Sequence, residues 1–337
     1  MQQKPFTFSG TGGEYFRIWI VNLCLSILTL GIYSAWAKVR RMQYFYRNTA
    51  VDDASFDYHG VPLAILKGRI IAAVLFLVYS LAGKVNIAAG ITAFVLLMAV
   101  MPWLLVRSYR FRMHNSSYRG LRFSFRGDTG DGYVNFLLLP LVSYFTLGLL
   151  WPLAHQQITR YVRNNTTFGN RMFSFRSTAG MFYRPYIAII FAFIAVIVLM
   201  VAVTIGLVQG GVSQQSGGFV VGMLILAYLG ILLFVAPYLM ARMQNLIWNN
   251  TKLGPVSFVS SARARDLFGI IAVNVVLIIL TLGLFKPFAD IRLARYRIES
   301  ITLVTEGDLE EFIGEQRDEV RATGEEMADM FDLDIAI

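Results

Sequence analysis

Few side chains in this 337-residue sequence are placed to do chemistry. His59, His114 and His155 lie far apart, and none has a second His or a Cys at metal-ligand spacing, so no metal site is expected. The single cysteine, Cys24, excludes a disulfide or thiolate cluster within one chain. There is no zincin motif, Walker A loop or nucleophile elbow. Gly10-Thr11-Gly12-Gly13 reads as a turn, because no parallel strand precedes it, and Glu14 with Arg17 as interfacial charge. No cofactor and no enzymatic activity are expected. What remains is a polar set inside apolar sequence. Asn22 and Asn274 each stand seven residues before a Thr-Leu-Gly tripeptide, with Thr29, Thr146, Thr281 and Lys286 at or beside those tripeptides. Such groups at broken helices bind a small solute or ion. They also hydrogen-bond neighbouring helices or cap a broken backbone. The second reading is favoured, because ionisable residues in mid-span mark ion paths and only Lys286 comes close.

The elements that carry these residues are hydrophobic. The chain is 56% apolar and 15% charged, with a mean hydropathy of +0.57. Soluble domains hold about 25% charged residues, so the composition points to a polytopic membrane protein. Ile65 to Ala82 and Val85 to Val106 form one apolar hairpin around Gly83-Lys84, and Ile187 to Val208 with Phe219 to Ala241 form another. Each segment is long enough for about 30 Å of hydrocarbon. Three further segments, from about Tyr15, Tyr133 and Leu267, reach Thr-Leu-Gly. Aligned on that Thr, all three carry Ala eight residues on (Ala37, Ala154, Ala289) and Tyr fifteen on (Tyr44, Tyr161, Tyr296). Nineteen on stand Asn48, Asn165 and Ser300, and Pro152 and Pro287 match at six. Self-similarity of this extent indicates an internal repeat.

Charge chooses between two topologies. If all three repeats cross, Arg160, Arg163, Arg171, Arg176 and Arg184 face away from Arg40, Arg41 and Arg47, against the positive-inside tendency. If each repeat enters and returns to one face, with Gly closing the first half at C′ and Pro opening the second, only the two hairpin turns face outward. The expected fold is an all-α polytopic membrane protein. It has four full spans in two hairpins and three re-entrant broken-helix elements, seven spans being the alternative, with short cytoplasmic β-strands. Residues 1–303 make the membrane domain, with repeats near 15–47, 133–163 and 267–299 and hairpins at 65–106 and 187–241. Residues 304–337 make an acidic cytoplasmic tail.

The strands are read from aromatic alternation in Phe6-Thr7-Phe8, Phe56-Asp57-Tyr58, Phe123-Ser124-Phe125, Phe173-Ser174-Phe175 and Val256-Ser257-Phe258. An interfacial aromatic belt explains the same residues equally well. The net charge of +9 hides an asymmetry: from Glu306 on, twelve acids stand against two arginines. The basic body suits an anionic bilayer surface rather than nucleic acid. The tail is expected to dock on the basic face through Met327, Met330, Phe331 and Leu333, or to bind a protein partner there. Oligomeric state is not legible.

The opening Phe6-Thr7-Phe8-Ser9-Gly10, the run from Thr29 to Arg40, Arg47-Asn48-Thr49 and the closing Ala328-Asp329-Met330-Phe331-Asp332-Leu333-Asp334 resemble the YjgN-like bacterial inner-membrane family, a domain of unknown function. The resemblance implies a multi-pass protein of the bacterial inner membrane and supplies no reaction. The expected function is therefore a non-enzymatic scaffold or interaction protein with a cytoplasmic working face. The alternative is a transporter of a small solute, ion or lipid built around the three broken-helix repeats.

Overall fold

The computed structural model describes residues 1–209, 214–307 and 309–323. The described residues form one unit used five times: two helices run out and back, the second ends at Asn or Ser, and a strand follows at once. The helix pairs are α1 (Gly12–Leu28) with α2 (Ser34–Arg47), and α3 (Pro62–Val85) with α4 (Ile87–His114). The third pair has a first arm made of α5 (Thr129–Tyr133), a π-helical turn (Val134–Leu138) and α6 (Leu139–Phe145), returning as α7 (Trp151–Asn164). The last two are α8 (Ala179–Gln209) with α9 (Gln214–Asn249), and α10 (Ala264–Leu280) with α11 (Lys286–Glu299). Successive pairs touch, and α11 packs against α1, so the helices form a closed ring.

The all-α expectation is wrong, because the strands close into a barrel. After each return helix comes a hairpin: β2 (Thr49–Val51) and β3 (Ala54–Tyr58), β4 (Ser116–Tyr118) and β5 (Leu121–Phe125), β6 (Thr166–Phe168) and β7 (Arg171–Phe175), β8 (Thr251–Leu253) and β9 (Val256–Ser260). The fifth joins the chain's two ends, β10 (Ile301–Thr305) pairing antiparallel with β1 (Gln2–Phe8). All neighbours are antiparallel and the barrel is closed. Closure is what lets three-residue strands exist, since it leaves no edge of unpaired N–H and C=O groups. The aromatic alternations are thus one strand of each hairpin. The partner strands are too short to show a period of two. A boundary between residues 303 and 304 would cut through β10.

Helix ends and strands are joined by repeated local chemistry. Asn48, Asn115, Asn165 and Asn250 each donate Nδ2 to the carbonyl four residues back, at 2.8 Å. Their own carbonyls accept from the residue that follows a strand of the adjacent hairpin: Ser9, His59, Arg126 and Arg176, at 2.8–3.1 Å. The fifth unit uses Ser300 and Ser261 in the same way, at 3.0 Å. The repeated tyrosines tie the two arms of the short pairs together: Tyr44 donates to Thr11 O, Tyr161 to Asp128 O and Tyr296 to Arg263 O, at 3.0, 2.6 and 3.3 Å.

The residue that closes each first arm at the Thr-Leu-Gly turns is not the expected one. Leu, not Gly, occupies C′: Leu30, Leu147 and Leu282 have φ of 50°, 53° and 50°, and Gly31, Gly148 and Gly283 follow at 92°, 82° and 93°. Each Gly N–H bonds a carbonyl five residues back (Ser26, Ser143, Ile278) at 2.7–2.8 Å, the 6→1 bond of a Schellman end. A left-handed Leu costs roughly 1–2 kcal/mol, yet all three are 94–95% exposed. The tip therefore presents an apolar side chain where Gly or Asn would be cheaper. First arms α1 and α10 are 17 residues and second arms α2, α7 and α11 are 14. At 1.5 Å per residue these are about 25 and 21 Å, short of the ~30 Å hydrocarbon core. By contrast α3, α4 and α8 are long and apolar enough to cross a membrane.

After β10, α12 (Leu309–Thr323) folds back under the barrel. Leu309, Phe312 and Ile313 are buried in the same apolar cluster as the barrel interior. Arg119 holds Glu310 at 3.2 Å and Asp52 at 3.0 Å, and Arg317 donates to Arg119 O. The tail residues Met327, Met330, Phe331 and Leu333 lie outside the described residues. Phe312→Ala should lower stability by about 3–5 kcal/mol, through the cavity left in the barrel floor. Glu310→Gln should lower it by under ~1 kcal/mol, since that carboxylate is 76% exposed. Thermal melts of protein held in polymer-bounded bilayer discs read both.

Candidate functional site

Ten strands enclose more volume than eight, whose lumen side chains just fill. Here one phenylalanine from each of the strands β1, β3, β5, β7 and β9 lines the space, Phe6, Phe56, Phe123, Phe173 and Phe258, with Phe168 of β6 beside them. Neighbouring ring centroids are 6.2, 6.4, 6.4 and 6.4 Å apart with planes inclined by 12–25°. The gap between Phe258 and Phe6 is filled by Trp248 of α9, 5.1 and 6.5 Å from them. This six-membered aromatic ring encircles a cavity of about 470 Å³. Leu309, Phe312 and Ile313 of α12 make its floor. That size and apolar lining match small-molecule sites, which run to ~300–1,000 Å³.

The mouth lies where the return helices end. Met42, Tyr46, Tyr109, Arg112 and Arg163 line it, and among the described residues no acidic side chain does. Arg163 stands 4.6 Å above the Trp248 ring and Arg112 stands 5.0 Å above Tyr109. Among the described residues neither guanidinium makes an ion pair. Burial, with Arg112 nearby as a second cation, pulls Arg163 down to about 10 from the usual 12.5. The half-buried Arg163 and the exposed Arg112 stand over the aromatic well, an arrangement suited to an anion that carries an apolar body.

The residues singled out in the sequence divide into three groups. Asn22 and Lys286 line a second cavity, of about 660 Å³, among α1, α2, α3 and α11. Asn274 instead bonds Ala289 O at 3.3 Å and accepts from Arg292 at 3.4 Å, tying α10 to α11. Thr29, Thr146 and Thr281 are turn clamps. Each hydroxyl donates to the first arm at 2.6–3.0 Å and accepts the N–H of Tyr33, Leu150 or Phe285 at 2.9–3.3 Å. The polar set is thus not one site. His59, His114 and His155 are engaged separately with Ser117, Arg122 and Tyr186. No three His, Cys, Asp or Glu side chains converge among the described residues. The lumen was missed, although its signal is present. Two-residue loops at Asp52-Asp53, Arg119-Gly120, Gly169-Asn170 and Gly254-Pro255 mark four hairpins, and Asn-Thr or Asn-Ser precedes each of them.

Over residues 3–330 the chain matches the family described as "Bacterial protein of unknown function (DUF898)", and it belongs to that family. It is similar to the Inner membrane protein YjgN of Salmonella typhimurium strain LT2, with 25% identity over 352 residues covering 90% of this chain and 88% of that one. The Inner membrane protein YjgN of Escherichia coli K12 is 31% identical over 153 residues, covering 43% of this chain and 37% of that protein. No solved structure matches.

The lowered Arg163 pKa has a sign. Below about 10 the folded and unfolded chains both carry the charge, so its burial is an undiminished cost at neutral pH. That cost is relieved only as pH rises from about 10 through 12.5. Arg163→Met removes the cost together with the Trp248 contact, worth ~0.5–2 kcal/mol. The ligand-free variant should therefore match the parent or exceed it by about 1–2 kcal/mol, measured by urea or thermal unfolding. A loss beyond that range would mean the charge already has a partner.

Proposed function

We propose that this DUF898-family protein is a non-enzymatic inner-membrane protein that holds a small anionic amphiphile in its barrel lumen. The observation that carries the reading is the aromatic well of about 470 Å³ beneath two unpaired arginines. An acidic head would bond Arg112 and Arg163 with charge-assisted hydrogen bonds. A single apolar chain would fill the phenylalanine ring, gaining ~0.8 kcal/mol per buried CH₂. Of the two functions legible in the sequence, this favours the one that handles a molecule over the scaffold. It moves the binding place from the Thr-Leu-Gly turns to the barrel.

The membrane placement belongs to the same reading. The pairs α3/α4 and α8/α9 cross the bilayer. The three short pairs insert only their leucine tips from the cytoplasmic side, where the barrel, α12 and the tail lie. Lys84, at the α3–α4 turn, is then external, and Lys252, in β8, internal. In a Cys24→Ser background, Lys84→Cys should react in intact cells with an impermeant maleimide and Lys252→Cys should not. Labelling of both would refute this topology.

Binding is tested with 12-bromododecanoic acid on protein in bilayer discs. Bromine should quench tryptophan emission saturably, and Trp248→Phe should remove most of the quenching. Arg163→Met should weaken binding by about tenfold, or ~1.4 kcal/mol. Unsaturable quenching, or quenching indifferent to both variants, would leave the lumen without this role.

A further inference from the structure

The second cavity carries its own argument. It opens between the first and last helix pairs and is closed on its third side by α3. Four cations line it, Lys38, Arg41, Arg69 and Lys286, against one carboxylate, Asp290. That carboxylate is already engaged by Lys286 at 3.0 Å and Arg41 at 3.5 Å. Lys38 makes no hydrogen bond or ion pair among the described residues, and Arg69 donates only to the Ser34 hydroxyl. Asn22 also lines the cavity; it is 8% exposed and its Oδ1 has no donor.

We propose that this crevice binds the phosphate of an anionic bilayer phospholipid, with Lys38 and Arg69 as the ligating cations. Level and flank both point to a lipid rather than a free anion. Ser34 opens α2 and Lys286 opens α11, each just past a leucine tip that is 94–95% exposed. If the tips lie in hydrocarbon, these cations lie at the headgroup layer, where phosphates are. Trp19 and the exposed Leu23 flank the cations, giving acyl chains an apolar surface. A guanidinium beside an ammonium and a hydroxyl matches a phosphodiester's acceptor oxygens. The inference uses the membrane placement proposed above but not the lumen, and the two fail separately.

Protein is moved into discs of phosphatidylglycerol or of phosphatidylcholine, then released, and retained lipids are counted by native mass spectrometry. The parent should keep one phosphatidylglycerol per chain and far less phosphatidylcholine. Lys38→Gln/Arg69→Gln should retain about tenfold less phosphatidylglycerol, each charge near the surface being worth several-fold. Lys84→Gln at the opposite end of α3 should retain it as the parent does. If the double variant melts early, Lys38→Gln alone carries the test with about threefold loss, and Lys38→Arg should restore retention. Millimolar inorganic phosphate should not displace the lipid. Equal retention by the double variant overturns the site. Equal retention of phosphatidylcholine overturns the preference for an anionic lipid, and displacement by inorganic phosphate overturns the lipid as occupant.

Discussion

Everything in this molecule depends on closing a sheet whose strands are too short to stand alone. Four of the ten strands are three residues long. A three-residue strand buries almost nothing and leaves most of its backbone groups to its neighbours. Only when β1 meets β10 does every strand gain two partners. The barrel is therefore all or nothing, and it needs both ends of the chain. It also dictates the helix ring above it. Each hairpin is launched by the Asn- or Ser-ended return helix before it, and each Asn or Ser carbonyl is claimed by an adjacent hairpin. Five helix pairs must then stand side by side, whatever their lengths.

This explains why the sequence shows three repeats and the fold shows five. The Thr-Leu-Gly turn is a strong local signal, because a left-handed Leu-Gly pair and a clamping Thr are specific requirements. The sequences joining α3 to α4 and α8 to α9 hold no Thr-Leu-Gly, so these pairs read as ordinary spans. What all five share is at the other end: Asn48-Thr49, Asn115-Ser116, Asn165-Thr166, Asn250-Thr251 and Ser300-Ile301. An Asn that caps its own helix is chemically plain, so two of these pairs pass unnoticed in a sequence. The aromatic strands were legible and their closure was not, since pairing between residues 2 and 305 has no local trace. The same holds for the lumen. Phe56 and Phe258 look like any strand aromatics until five hairpins set them in one ring. Arg163 reads as one more juxtamembrane cation until Trp248 is placed under it.

Cations tell the same story of one signal with several local meanings. The basic body reads as a single orientation signal, and in part it is. Within the fold those cations separate by what surrounds them. Arg119 is matched by Asp52 and Glu310 and fastens the barrel floor. Arg41 and Lys286 share Asp290. Among the described residues, Arg112 and Arg163 face a well with no carboxylate, and Lys38 and Arg69 face a crevice whose one carboxylate is taken. Arg163 is half-buried and Arg112, Lys38 and Arg69 are exposed, so these four cations are the ones open to the anions proposed above. Met42 lines both cavities, which makes the crevice and the well neighbours across a single turn of α2.

The leucine tips connect this charge arrangement to the bilayer. A turn built for water would place Gly or Asn at C′ and avoid the left-handed penalty. Leu30, Leu147 and Leu282 accept it and gain nothing inside the protein, since each is almost wholly exposed. Their apolar surface is favourable only where the surroundings are also apolar. Three tips at equivalent places in the ring then define a plane, and the long pairs α3/α4 and α8/α9 run on past it. Ser34 and Lys286, opening the return helices just past two of those tips, sit one step below that plane. On the proposed membrane placement, a residue choice that is locally unfavourable sets the depth of the whole ring, and with it the layer from which both cavities are reached.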